Sequence, residues 1–122
     1  MKKILVVDDE KEIRELIKER LTQSDYAVMT ASDGQEAVII AEANQPDLIL
    51  LDIAMPKMDG YQTSEKLRKD SKTKNIPILF LTGKDLGDHG IMEHCNSLGA
   101  CGYIPKLSSL KELLEKIQEI VG

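Results

Sequence analysis

Short apolar runs alternate with helix-like stretches along this 122-residue chain, and this alternation limits its fold more than any other feature. The runs Ile4 to Asp8, Leu48 to Asp52 and Ile78 to Thr82 are nearly continuous in large apolar residues, which is typical of strands buried on both faces. A weaker strand is predicted over Tyr26 to Ala31, and a short one near Tyr103. Strands of this kind separated by helices predict an α/β fold, with one parallel sheet covered on both faces.

Hydrogen-bonding residues mark where three of the helices begin. Asp33, Asp59 and Ser109 are each followed three residues later by Glu or Gln, which is the spacing of a capping box. These caps predict helices that run to about Ala43, to about Lys69 and to the end of the chain. Asp59 and the Gly that follows it are therefore assigned to structure. A further helix is predicted over Glu10 to Thr22, with an apolar stripe formed by Ile13, Leu16, Ile17 and Leu21.

Composition excludes several classes of protein. A chain of 13.6 kDa forms one domain, here taken as residues 1–122. A net charge of -5 and a pI near 5.0 argue against nucleic acid or an anionic membrane as a direct partner. No stretch approaches the roughly 18 apolar residues of a membrane span. The apolar run after Met1-Lys2-Lys3 is also too short for a signal peptide, so we expect a cytoplasmic protein. Two cysteines are too few for a disulfide scaffold, which agrees with a reducing compartment.

Polar residues follow the predicted strands at their carboxyl ends. Asp8 and Asp9 end the first strand, Asp52 the third and Thr82 the fourth, and Lys106 follows the fifth. The carboxyl ends of parallel strands meet at one edge of the sheet, where open α/β folds bind their ligands. Three carboxylates a few ångströms apart repel one another, so the group calls for a divalent cation, and Lys106 adds further positive charge.

These residues give the chain a resemblance to a known family. Asp8-Asp9, the turn from Asp52 to Gly60, Leu81-Thr82-Gly83, and Lys106 three residues after Tyr103 resemble the receiver domain of two-component response regulators. The resemblance covers the whole chain. It implies a single flavodoxin-like, doubly wound sheet of five parallel strands in the order 2-1-3-4-5, together with five helices.

The resemblance also implies a role for each site residue. Asp52 would take a phosphoryl group from a phosphohistidine, as a carboxylate nucleophile does in aspartyl-phosphate enzymes. Asp8, Asp9 and Asp52 would hold Mg²⁺ together with the backbone carbonyl of Ala54, and Mn²⁺ is a substitute for it. Lys106 would pair with a phosphoryl oxygen as a compact point charge.

Four residues are implied in switching and in the lifetime of the phosphorylated state. Thr82 would donate its hydroxyl to the phosphoryl group while Tyr103 changes rotamer, which alters the surface that partners bind. Ala54 and Lys84 would flank the path of the hydrolytic water. Ala54 has no side chain to orient a water and Lys84 can reach over the phosphoryl group, so a long-lived phosphorylated state is expected.

On this interpretation the chain is a signalling domain and not an enzyme acting on external substrates, although it catalyses its own phosphorylation and dephosphorylation. Its implied partners are a cognate sensor histidine kinase or phosphotransfer protein and a downstream protein target. The resemblance allows a phosphorylation-dependent dimer, and it implies no direct contact with nucleic acid or membrane. Because the sequence ends at Val121-Gly122 without an output domain, we expect a stand-alone regulator, with a receiver cut from a longer protein as the alternative.

Two other classes of site fit the sequence less well. A phosphatase of the haloacid dehalogenase type needs a second carboxylate two residues after its nucleophile, and Ala54 occupies that position. A zinc module would have to use four residues whose spacing matches no common zinc pattern: His89, His94, Cys95 and Cys101.

One departure from the family pattern concerns the lysine. Receivers usually carry Lys-Pro with a cis peptide bond, whereas here Pro105 precedes Lys106 and Leu107 follows it. A cis bond without proline costs about 3 kcal/mol, so we expect a trans Lys106-Leu107 bond. Pro105 lacks an N–H group, which suits an edge strand.

Overall fold

The computed structural model describes residues 1–53, 55, 58–82, 102–105 and 109–122, with the backbone alone at Thr82 and Leu110. The strands are β1 (Lys3–Val7), β2 (Ala27–Ala31), β3 (Leu48–Asp52), β4 (Ile78–Thr82) and β5 (Gly102–Pro105). They form one sheet in the order β2-β1-β3-β4-β5, and every neighbouring pair is parallel. The predicted α/β fold and strand order are therefore confirmed.

The helices within the described residues are α1 (Lys11–Gln23), α2 (Gly34–Asn44), α3 (Gly60–Lys69) and α4 (Leu110–Val121). A fifth helix was expected between β4 and β5, and residues 83–101 lie outside the described part of the chain. None of the helices that the structure describes is both long enough and apolar enough to cross a membrane.

Strand positions were predicted to within one residue. The predicted bounds of β3 and β4 are confirmed, whereas β2 begins at Ala27 and not at Tyr26. The ladder of β1 ends at Val7, one residue before the predicted end, although the N–H of Asp8 still donates to Ala31 O at 3.2 Å. This last bond keeps Asp8 aligned with the sheet.

The sheet divides the core into two layers, because successive side chains of a strand point to opposite faces. On one face, α1 and α4 cover residues such as Val6, Leu50 and Leu81. On the other face, α2 and α3 cover a second group that includes Val7 and Leu51. The central strands β1 and β3 are thus almost wholly buried, which makes their carboxyl ends a rigid base for a site.

The predicted apolar stripe of α1 is wrong at Leu16, whose side chain is 51% exposed. Ile17 and Leu21 are buried and Ile13 packs against the same core layer. Residues turn about 100° each around a helix axis, so Leu16 lies about 100° from Ile17 and falls outside the narrow contact face. The helix buries a stripe spaced by four residues.

The three predicted helix caps are confirmed. The Asp33 carboxylate accepts from the N–H of Glu36 at 2.8 Å, and Ser109 Oγ accepts from the N–H of Glu112 at 3.2 Å. Asp59 accepts from the N–H of Gln62 at 2.9 Å, while the Gln62 side chain accepts from the N–H of Asp59 at 3.0 Å. Among these three caps only that of Asp59 is reciprocal. At the Asp33 cap, the Glu36 carboxylate instead accepts from Ser32 Oγ.

A buried hydroxyl in α3 gives a stability prediction. Ser64 is fully buried, and its Oγ has no hydrogen-bond partner among the described residues. The adjacent Thr63 Oγ1, equally buried, donates to Asp59 O at 2.9 Å. Ser64→Ala should raise the free energy of unfolding by about 1 kcal/mol, since it removes an unsatisfied polar group. Thr63→Ala, the matched control, should lower it in the same urea titration, and destabilisation by Ser64→Ala would contradict this account.

Candidate functional site

The register of the sheet places two buried carboxylates side by side. Val7 of β1 pairs with Leu51 of β3, so the next residues, Asp8 and Asp52, occupy the same row on strands about 4.8 Å apart. Asp8 is 0% exposed and Asp52 is 1% exposed. Burying a charged group is costly without compensation, so this pair indicates a site that binds positive charge.

A second cluster of carboxylates adjoins this pair. One carboxylate oxygen from each of Asp8, Asp9 and Glu10 lies within 4.8 Å of the others, and Asp9 and Glu10 are exposed. The Asp8 carboxylate also accepts from the N–H of Glu10 at 2.9 Å. Carboxylate oxygens are the ligands that Mg²⁺ prefers, so this donor set fits the expected ion.

Glu10 was not among the predicted site residues. In the sequence it looks like the start of a helix, and it does occupy the cap position of α1. Its side chain makes no capping hydrogen bond and instead lies near the two aspartates. The sequence feature that could have identified Glu10 is its place directly after Asp8-Asp9, where it forms a run of three acidic residues.

The loop after β3 is tied to both neighbouring elements. The N–H of Ile53 donates to Leu81 O at 3.0 Å, and the N–H of Gly60 donates to Ile53 O at 2.8 Å. A Cβ atom on Gly60 would lie 2.7 Å from Ile53 Cα and would collide with the carbonyl oxygen of Asp52. The start of α3 therefore packs directly on the backbone that carries Asp52, which agrees with the structural role predicted for Asp59 and Gly60.

The carboxyl ends of β4 and β5 follow those of β1 and β3 along the same edge of the sheet. Asp52 pairs with Leu81, and Thr82, one position further along, pairs with Pro105. Among the strands that the structure describes, β5 is last in the sheet and pairs with β4 alone, which agrees with the predicted edge location of Pro105. The structure thus brings the backbones of Asp8, Asp52 and Thr82 to one edge of the sheet.

Several predicted residues fall outside the described part of the chain. These are Ala54, Lys84, Lys106 with its bond to Leu107, and the zinc alternative of His89, His94, Cys95 and Cys101. The roles given to Ala54, Lys84 and Lys106 stay predictions, as does the trans Lys106-Leu107 bond.

Tyr103 lies on β5, two residues before the Pro105 that pairs with Thr82. It is half-buried on β5, where it pairs in register with Phe80 of β4 and packs against the core layer under α2 and α3. Phe80 in turn meets the Tyr61 ring edge-on, with centroids 5.5 Å apart. Tyr103 is therefore paired in register with an aromatic residue that contacts α3, and its switching role stays a prediction.

Comparisons with known proteins agree on the family. A sequence model described as the response regulator receiver domain matches residues 4–118. The chain is 45% identical over 120 residues to a "Probable transcriptional regulator ycf27" of Cyanophora paradoxa, covering 98% of this chain and 48% of that protein. It spans about half the length of the curated relatives it matches, so action as a stand-alone regulator stays a prediction.

Solved structures are similar over nearly the whole chain. The chemotaxis protein CheY4 of Vibrio cholerae superposes with a TM-score of 0.92 at 33% identity, covering 98% of both chains. The receiver domain of the sensor histidine kinase PA1611 of Pseudomonas aeruginosa superposes with a TM-score of 0.88 at 31% identity, covering 99% of this chain and 98% of that one. That second structure holds a magnesium ion in its active-site cleft.

Proposed function

Because the chain belongs to the response regulator receiver domain family, and so is a phosphorylatable signalling domain, we propose that Asp52 is its phosphorylation site. The observation that carries this proposal is the position of Asp52, buried at the end of the central strand β3 beside Asp8. The phosphoryl donor would be a phosphohistidine of a cognate sensor histidine kinase or phosphotransfer protein. A carboxylate oxygen of Asp52 would form the new O–P bond as the N–P bond of the donor breaks.

Mg²⁺ belongs to this proposal. Asp8, Asp9 and Asp52 would hold it with the backbone carbonyl of Ala54, and Mn²⁺ would bind the same oxygen donors. When bound, the ion supplies positive charge that offsets the charge on the phosphoryl oxygens. The chain's own contribution is a held backbone: the hydrogen bonds of Ile53 and Gly60 hold the segment after Asp52, so the backbone that carries the acceptor is in place before the donor arrives.

The remaining assignments rest on the family alone. Lys106 would pair with the phosphoryl group, and Thr82 and Tyr103 would carry the switch to a downstream protein target. Ala54 and Lys84 would set the lifetime of the phosphorylated state. We include a phosphorylation-dependent dimer, a cytoplasmic location, no direct contact with nucleic acid, and a domain spanning residues 1–122. The chain would not turn over external substrates, and hydrolysis of free phosphomonoesters would favour the dehalogenase-type alternative.

Asp9→Asn tests the metal assignment. We expect it to weaken Mg²⁺ binding at least tenfold. Losing a residue that only supports a metal ligand already weakens binding by about tenfold, and Asp9 is proposed as a ligand itself. It should also stabilise the metal-free protein slightly, because one of several crowded carboxylates becomes neutral. Isothermal titration calorimetry and urea unfolding measure the two effects.

Asp25→Asn is a matched control for this experiment. Asp25 is exposed, precedes β2 at the opposite edge of the sheet and has a φ of 68°, a conformation that Asn adopts readily. Unchanged Mg²⁺ affinity in Asp9→Asn, or an equal change in both variants, would remove Asp9 from the site.

A further inference from the structure

Arg14 of α1 is hydrogen-bonded to the strand end that carries the acidic cluster. Its Nη1 donates to the backbone carbonyl of Asp8 at 2.7 Å, and its side chain is half-buried. Its own N–H donates to Glu10 O at 3.0 Å, which starts the helical hydrogen bonds of α1. One residue therefore connects the first turn of the helix to the end of β1.

This contact completes the fixation of Asp8. The N–H of Asp8 donates to Ala31 O, and its carboxylate accepts from the N–H of Glu10. The Arg14 guanidinium holds the carbonyl, the third polar group of the residue. Since the carbonyl of Asp8 and the N–H of Asp9 belong to one peptide plane, holding the carbonyl also fixes the direction in which Asp9 leaves the strand.

The Arg14 guanidinium donates its hydrogen bond to a backbone carbonyl and not to a carboxylate. Within the described residues, the ion pairs found at up to 4.0 Å join Lys69 to Glu65 and Lys116 to Glu119, and neither includes Arg14. The negative charge of Asp9 and Glu10 is therefore not taken up by Arg14 in a direct pair. The arginine therefore acts on the geometry of the cluster through the backbone of Asp8.

We propose that Arg14 is a positioning residue for the magnesium site, acting through the Asp8 carbonyl, and this rests on the proposed function of the acidic cluster. Two effects of removing Arg14 have opposite signs. Loss of a nearby positive charge favours the binding of Mg²⁺, whereas loss of the hydrogen bond lets the Asp8-Asp9 peptide move and weakens binding. The proposal states that the second effect is larger, so the direction of the change in affinity decides it.

Arg14→Gln is the main variant, measured by calorimetric Mg²⁺ titration of the unphosphorylated protein. We expect roughly tenfold weaker binding, as is usual when a group that orients a metal ligand is lost. Arg14→Lys keeps the charge and can still donate a hydrogen bond, but it lacks the planar fork, so its affinity should lie between those of the parent and Arg14→Gln. Arg20→Gln removes the same charge from an exposed position in the last turn of α1 and should leave the affinity unchanged.

Urea unfolding without Mg²⁺ measures how far each variant loses stability. A variant that is less stable but still folded binds Mg²⁺ normally if its defect is purely structural, so the two measurements together separate positioning from general stability. Binding by Arg14→Gln as tight as or tighter than the parent would overturn the proposal, and so would equal changes in Arg14→Gln and Arg20→Gln. If Arg14→Gln does not fold, Arg14→Lys decides: weaker binding supports the proposal and parental affinity overturns it. Asp9→Asn is titrated in parallel. If Asp9→Asn binds Mg²⁺ as tightly as the parent, the metal site itself is refuted. If Asp9→Asn binds more weakly and Arg14→Gln does not, only the role of Arg14 is refuted.

Discussion

Asp52→Asn should abolish phosphorylation of the protein. The amide matches the carboxylate in shape but is not a nucleophile that forms an acyl phosphate. Asp52 is 1% exposed, so a carboxylate on the protein surface would not take its place as the acceptor. With Mg²⁺ and acetyl phosphate, the parent protein should gain one acid-labile phosphoryl group and the variant none. Mass spectrometry of the intact protein measures this, since the chain has no Trp for the usual fluorescence readout.

Asp25→Asn is again the matched control and should be phosphorylated to the parental extent. Far-UV circular dichroism should show the parental fold in both variants, because each substitution nearly preserves side-chain volume. Full labelling of Asp52→Asn would place the nucleophile elsewhere in the chain.

Gly60→Ala should have the largest effect on stability. Its Cβ would collide with backbone atoms of Asp52 and Ile53, and backbone held by the sheet cannot rotate away as a side chain can. We expect the free energy of unfolding to fall by about 3 kcal/mol, the upper range for overpacking. Phosphorylation should also slow, because the displaced backbone is the one that carries Asp52.

Gly34→Ala provides the comparison for this steric argument. A Cβ at Gly34 would meet side-chain atoms, Thr63 Oγ1 and, at 3.0 Å, Met58 Sδ. Met58 can change rotamer, whereas Thr63 is buried and would have to give up its hydrogen bond to Asp59 O. Both contacts are with side chains and not with the sheet backbone, so the loss of stability should be smaller than for Gly60→Ala and phosphorylation should be nearly unchanged. Urea titrations in which Gly60→Ala is as stable as the parent, or more stable than Gly34→Ala, would contradict the close approach of α3 to β3.

Local patterns predicted the elements well, because their causes are local. Asp33, Asp59 and Ser109 were identified as caps since a cap needs only its own side chain and an N–H three residues later. Periodicity failed at Leu16, because a stripe of apolar residues does not say how wide the contact with the sheet will be. The order of the strands came from the family resemblance, since pairing between distant segments leaves no local signal.

The arrangement of the candidate site was predicted in part. The convergence of Asp8, Asp9 and Asp52 could be predicted because strand ends in a parallel sheet share an edge, and their roles stay predictions. Glu10 and Arg14 were missed: Glu10 extends the acidic run of Asp8-Asp9 but was taken as the start of a helix, and Arg14 has no sequence signal that separates it from a surface charge. Their positions depend on how the chain turns after β1, where a carbonyl beyond the sheet ladder needs a donor.

Chemical trapping of the phosphorylated residue tests the central claim most directly. Borohydride reduces an aspartyl phosphate to homoserine, so peptide mapping of protein treated with Mg²⁺ and acetyl phosphate locates the acceptor. This account predicts homoserine at position 52, only when both Mg²⁺ and the phosphodonor are present. Homoserine at position 8 or 9 would contradict it, and so would the absence of homoserine from protein that carries a phosphoryl group.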